Sequence, residues 1–130
     1  MKGNENTRNA IRDELYDYYL PDFTVMETYN IDQFSFYLPD GTLFLQMHEP
    51  SIYGEKTDRY SVEYVNQEAS FISGFEMRDT SNQYHFLFPL TYQGEHIGTV
   101  DFSISVTETL QELSHRFDNK DYMVIVETLN

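Results

Sequence analysis

Gln33-Phe34-Ser35-Phe36-Tyr37-Leu38-Pro39-Asp40-Gly41-Thr42-Leu43-Phe44-Leu45-Gln46-Met47 is the stretch on which the fold turns. Residues 33–38 alternate at period two, the pattern of a half-buried strand. Pro39-Asp40-Gly41 is a turn: proline presets the first turn position and glycine permits positive φ. Residues 42–47 then read as the returning strand of an antiparallel hairpin.

Upstream, Ile11, Leu15, Tyr18 and Tyr19 are spaced as one face of a helix over residues 1–20, with Asp13, Glu14 and Asp17 between them. Pro21 is expected to end it, since the residue before a proline avoids helical geometry. A short irregular or helical stretch runs on to about Tyr29. Downstream, residues 49–57 read as a loop containing Pro50 and Gly54, and residues 58–67 as a short helix. A third strand covers 71–77, a polar turn 79–82, and a fourth strand 83–92, bent or ended near Pro89. Gln93-Gly94-Glu95 turns the chain into a fifth strand over 97–106. Ser105 and Glu108 have capping-box spacing for a helix through Phe117 with Leu110 and Leu113, and residues 123–126 form a last apolar strand. The whole is one domain, 1–130, with a sheet-containing core over 32–126. The fold class is α+β, a single antiparallel sheet of five to six strands with a long N-terminal helix and flanking helices.

Composition narrows the function. The chain carries 22 acidic and 8 basic residues, a net charge of −14, with no basic run. Nucleic-acid backbones and anionic membrane surfaces need a basic footprint, so neither is a partner of this chain. The acidic excess reads as a solvated exterior. Eleven Tyr and ten Phe supply ample core material, with a polar tip on each Tyr. The absence of cysteine excludes thiol chemistry, disulfides and cysteine-held zinc. No stretch approaches the ~18 apolar residues needed to cross a bilayer.

Two segments carry a resemblance. The first is Phe34-Ser-Phe-Tyr-Leu-Pro-Asp-Gly-Thr-Leu-Phe-Leu-Gln-Met-His-Glu-Pro50, with Tyr53-Gly54 after it. The second is Ser73-Gly-Phe-Glu76, followed by Tyr84-His-Phe-Leu-Phe-Pro-Leu-Thr-Tyr-Gln-Gly-Glu-His-Ile-Gly-Thr-Val-Asp-Phe-Ser-Ile-Ser105. In order and separation these resemble the bacterial Cache sensor family, the PAS-like extracytoplasmic modules of sensor histidine kinases, diguanylate cyclases and chemoreceptors. The resemblance implies membrane tethering through segments outside this chain, and a homodimer formed through the N-terminal helix. The Ile11/Leu15/Tyr18 stripe serves such a dimer or simply covers the sheet. Basic residues are frequent in the family where this chain has Gln46, Arg59 and His85. Only Arg59 is reliably cationic, which implies a preference for something other than strongly anionic ligands.

A PAS-like sensor would hold its ligand between the sheet and the middle helix. Arg59, Tyr60 and Tyr64 would project from the helix, and Met47, Phe75, Tyr84, Phe86 or their alternation partners from the strands. A guanidinium clamps a carboxylate and phenols supply hydrogen bonds. For each aromatic the alternative is plain core packing, and for Arg59 a surface ion pair with Asp58 or Glu63. His48 sits at a strand end, where it would rim the pocket, and His85 lies in the strand leading to Phe88-Pro89-Leu90. Asp101 interrupts an apolar strand. Alternation favours a solvent-facing position for it, and a hydrogen bond to an amine-bearing ligand is the other reading. His96, beside a turn, and His115, on a helix's polar side, are expected to be exposed or turn-stabilising. No metal-ligand spacing, nucleophile elbow or phosphate loop is present, so no cofactor, metal or catalysis is expected. The expected function is extracytoplasmic sensing of a small molecule, such as a carboxylate or amino-acid-like metabolite. The alternative is an intracellular PAS-like interaction module without a ligand.

Overall fold

The computed structural model describes residues 5–78 and 81–105. The expected helix after Ser105, with His115 on it, and the last strand at 123–126 lie outside the described residues. In chain order the elements are α1 (Glu5–Thr28), β1 (Ile31–Tyr37), β2 (Leu43–Gln46), α2 (Tyr60–Glu68), β3 (Ile72–Arg78), β4 (Ser81–Tyr92) and β5 (Glu95–Ser105). The five strands form one sheet in the order β2-β1-β5-β4-β3, and every pairing is antiparallel. The α+β plan with a long N-terminal helix and a flanking middle helix is the one expected.

The founding hairpin is built as its residues dictate. The Gly41 N–H donates to the Leu38 carbonyl at 2.9 Å, and Gly41 takes a φ of +89°, which glycine adopts without strain. Asp40 Oδ1 accepts from the Thr42 N–H at 2.9 Å, and the Thr42 side chain first, with this backbone bond second, holds the Asp40 carboxyl below its usual pKa. At the β4–β5 turn, Gln93 and Gly94 both have positive φ, matching the right-handed twist of the strands they join.

Because directly paired residues share a face, the registers sort the side chains into two layers. Phe34, Phe36, Leu45, Met47 and Val100 point to one face, where Phe23 of α1 completes a buried cluster. The other face carries Tyr37 and Leu87, covered by Val62 and Val65 of α2. Burial of aliphatic side chains such as Leu45, Leu87, Val62 and Val65, each fully enclosed, stabilises by about 1.5–3 kcal/mol apiece. Since helices cover both faces, residues 34–37 of β1 are all buried and the simple in–out alternation is lost.

Two proline expectations resolve differently. Pro21 does not end the first helix; it lies inside α1 on its exposed side. The missing N–H costs one helical bond, but Phe23 and Met26 beyond it pack on the sheet core and hold the helix to Thr28. Pro89 leaves β4 continuous to Tyr92, because β3 pairing stops at Ile72↔Leu87 and β4 is an edge there.

Candidate functional site

The α2 face of the sheet is unusually polar. Ser35, Thr99, Asp101, Ser103, His85 and Gln83 are all buried there. Their common side follows from register: Ser35 pairs with Asp101, and His85 with Ser103. A cavity of about 490 Å³ opens above them, walled by Gln33, Tyr37, Glu76, Gln83 and His85, and by the segment Glu55–Arg59 that leads into α2.

Arg59 is the centre of this face. It is the N-cap residue of α2, with extended backbone, and its side chain makes no capping bond. Thr57 Oγ1 accepts from the Arg59 N–H instead, at 3.2 Å, which fixes the turn. The guanidinium is thereby free to reach inward, and only 8% of the side chain remains exposed. Nε and Nη2 donate to the two oxygens of Glu76 at 2.8 and 3.0 Å, a bidentate pair. Nη1 donates to Asp101 Oδ2 at 2.8 Å and to the Tyr37 hydroxyl at 3.1 Å. Ser61 Oγ donates to the same Glu76 carboxylate from the first turn of α2. His85 Nδ1 lies 2.8 and 3.1 Å from the Asp101 oxygens. Arg59 Nη2 lies 3.3 Å from the same nitrogen; an ionised carboxylate only accepts, so Nδ1 bonds to Asp101 in the tautomer that carries its proton there and accepts from Arg59 in the other.

Burial and charge compete at each group. Burial disfavours the charged form of Arg59, but Asp101 and Glu76 reverse this and hold the guanidinium firmly protonated. Burial would raise the Glu76 carboxyl, yet the hydrogen bonds and charge of Arg59, helped by Ser61, keep it below the ordinary range. Burial pushes the Tyr37 phenol up, and the opposing pull of Arg59 does not cancel it. With two carboxylates against one guanidinium, the cluster carries a net charge of −1 when His85 is neutral.

The sequence candidates separate cleanly. Arg59, His85 and Asp101 come together on the α2 face. Asp101 is not solvent-facing as alternation favoured; it is 4% exposed, because α2 and its leading segment cover that face. Arg59 pairs with Glu76 and Asp101 rather than with Asp58 or Glu63. Phe75, Tyr84 and Phe86 point to the opposite face, where the Tyr84 ring packs on those of Phe75 and Phe86 at centroid distances of 4.8 and 5.0 Å. Met47 is in the core under α1. Tyr60 is half exposed and Tyr64 packs on the Val62/Val65 cluster. His48 follows β2 and its Nδ1 accepts from the Phe34 N–H at 3.4 Å; burial lowers its pKa. His96 is half-buried rather than exposed, with Nε2 2.7 Å from Asn66 Oδ1.

Sequence reading missed Tyr37, Glu76, Gln33 and Gln83. Glu76 had a usable signal: like Asp101, it is a lone carboxylate, the single charge over residues 71–77. No group of three or more His, Asp or Glu placed to hold a metal occurs among the described residues.

A long N-terminal helix, an antiparallel sheet and a middle helix on its other face define a PAS- or Cache-like sensory domain. The chain belongs to the dCache_3 family, the double sensory domain of two-component sensor kinases, whose model matches residues 4–123. Among solved structures it is similar to a domain of a sensory box/GGDEF family protein from Vibrio parahaemolyticus. That match has 14% identity and a TM-score of 0.56, covering 87% of this chain and 48% of that one. A second is the extracellular domain assigned to the histidine kinase vpHK1S-Z8, with 18% identity and a TM-score of 0.47, covering 84% and 56%. The chain thus spans about half the length of the solved structures it matches. No curated protein matches it. The family is sensory, so the chain is a sensing module and not a catalytic one. No helix among the described residues is long and apolar enough to cross a membrane.

Proposed function

We propose that this chain is the extracytoplasmic input domain of a membrane signalling receptor, and that it binds a small amino-acid-like metabolite in the cavity between the sheet and the segment leading into α2. The observation that carries this reading is the buried Arg59–Glu76–Asp101–His85 cluster, of which Arg59, Glu76 and His85 line the 490 Å³ cavity. A cavity with a few convergent polar groups is the ordinary form of a small-molecule site. A buried ion-pair cluster is weak evidence for stability, since apolar packing in its place is often as stabilising. Ligand recognition gives the cluster a reason to be there.

The class of ligand follows from the pairing. All of Arg59's strong partners are carboxylates, so a ligand carboxylate enters by exchanging with Glu76 or Asp101. The carboxylate released then needs a cation. A zwitterion supplies both halves, which makes the exchange charge-neutral. A plain dianion adds repulsion to a cluster already at −1. Binding would shift the leading segment and α2 against the sheet, and the two packings would be populated according to their differential affinity.

A thermal-shift screen of amino acids, monocarboxylates, dicarboxylates and amines tests this reading. Amino acids are expected to stabilise more than simple monocarboxylates, and Arg59→Lys to weaken the effect. Stabilisation by dicarboxylates alone, or none by any class, overturns it. For membrane placement, a periplasmic reporter fused after the domain in the full-length receptor should be active; activity only for a cytoplasmic reporter contradicts it.

A further inference from the structure

A second guanidinium is buried on the opposite side of the molecule, and the sensing cavity does not use it. Arg12 of α1 is 8% exposed in total. Its Nε donates to the Phe44 carbonyl at 2.5 Å, and Nη1 donates to Asn9 Oδ1 at 2.6 Å. The guanidinium lies over two rings, with its carbon 3.7 Å from the Tyr53 centroid and 4.7 Å from that of Phe44. No carboxylate reaches ion-pair distance of it among the described residues, and Nη2 has no hydrogen-bond partner there. In a chain of net charge −14, a cation nine-tenths buried without a counter-ion stands out.

Arg12 lines a cleft of about 510 Å³ between α1 and the segment after β2. Its other walls are Asn9, Asp13, Tyr16, Leu45, Pro50, Ser51 and Tyr53. The rings and Leu45 make an apolar body, with one free donor group of a planar cation at the wall. We propose that this cleft is a second ligand site, taking a small organic monocarboxylate whose carboxylate sits on Arg12 and whose apolar part lies against Tyr16 and Tyr53. The cation–π stack holds the guanidinium plane fixed, so its remaining donors are preorganised for a planar acceptor. Asp13 in the same wall disfavours phosphate and other dianions. The cleft is coupled to the sensing cavity through one short segment. Tyr53 touches Arg12, Gly54 and Glu55 hydrogen-bond to Leu43, and Glu55–Arg59 line the other cavity. An occupant here would therefore bias α1 and the sensing cavity together.

The probe is benzoate, titrated into isotopically labelled protein and followed by backbone amide NMR. Saturable perturbation of residues 9–16 and 50–53 at millimolar benzoate is expected, with little effect of inorganic phosphate. Arg12→Lys keeps the charge without the planar fork and should weaken binding about tenfold or more. Ser51→Trp fills the cleft from an exposed position, leaves Arg12 in place, and should abolish binding. Arg59→Lys should still show saturable benzoate perturbation of residues 9–16 and 50–53, which separates this cleft from the sensing cavity. The proposal is overturned if benzoate leaves residues 9–16 and 50–53 unperturbed, if Ser51→Trp binds as well as the parent, or if phosphate matches benzoate.

Discussion

Arg59 and Asp101 lie 42 positions apart in the chain and 2.8 Å apart in space, with the Nη1 of one donating to the Oδ2 of the other. Around that bond gather Glu76, Tyr37 and His85, each from a different strand. The middle helix, through its N-cap residue, is thus tied by side-chain bonds to β1, β3 and β5, and it is this tie that a ligand would have to rearrange.

Removing the guanidinium should be costly. Arg59→Ala leaves Glu76 and Asp101 buried beside each other without a cation, and a loss of about 3–5 kcal/mol is expected. Denaturant unfolding measures it. Adding Glu76→Gln to Arg59→Ala should recover part of the loss, since one uncompensated charge is removed; no recovery would show that the pair is not energetically coupled.

Stability should fall in acid in two stages. His48 has a lowered pKa in the fold, so the unfolded chain takes up its proton first, and stability declines as pH drops below the ordinary histidine value of about 6.5. Glu76 also has a lowered pKa, and its contribution is lost as pH falls below the ordinary glutamate value of about 4.3. In thermal melts across pH, His48→Gln should flatten the upper stage and Glu76→Gln should reduce the lower one, to which the lowered Asp40 also contributes. The Tyr37 phenol is raised in the fold, so its contribution is full below about pH 10 and is lost only at higher pH.

Gly98 should not tolerate a side chain. A Cβ there would overlap the carbonyl oxygen of Tyr37, which is backbone of the neighbouring strand and has no room to yield. Gly98→Ala is expected to cost at least about 2 kcal/mol and to displace Tyr37, whose hydroxyl accepts from Arg59. An unchanged melting temperature would contradict this.

Pro21 offers a gain instead. It sits exposed within α1, where it forfeits a helical hydrogen bond. Pro21→Ala should raise stability by about 1–3 kcal/mol, read as a higher melting temperature. A loss would mean that the proline shapes a curve in α1 on which the packing of Phe23 depends.

Much of this fold was legible in the sequence because hairpins are local. Residues 33–47 carry their own turn chemistry, and Gln93-Gly94 does the same for β4 and β5. Pro21 misled because propensity is a weak force beside the burial of Phe23 and Met26, which lie only two and five residues further on. The site was half legible. Asp101 stood out as a charge in an apolar strand, and so in retrospect does Glu76, whereas Arg59 and His85 were marked by the positions where the resembled family carries basic residues. Choosing the face that carries the polar cluster was beyond period-two reasoning: alternation separates Phe75 from Glu76 and Tyr84 from His85 but cannot tell which set lies under α2. That choice is made by Val62 and Val65, which bury their helix against Leu87 and Tyr37 from a distant part of the chain.

The most direct test of the sensing cavity is amide-resolved NMR with the amino acid that stabilises the domain most, on the parent and on Arg59→Lys. Perturbations centred on Glu55–Arg59, Glu76 and His85, with affinity reduced about tenfold or more in Arg59→Lys, are the predicted result. Perturbations that spare those residues, or equal affinity for both proteins, would contradict it.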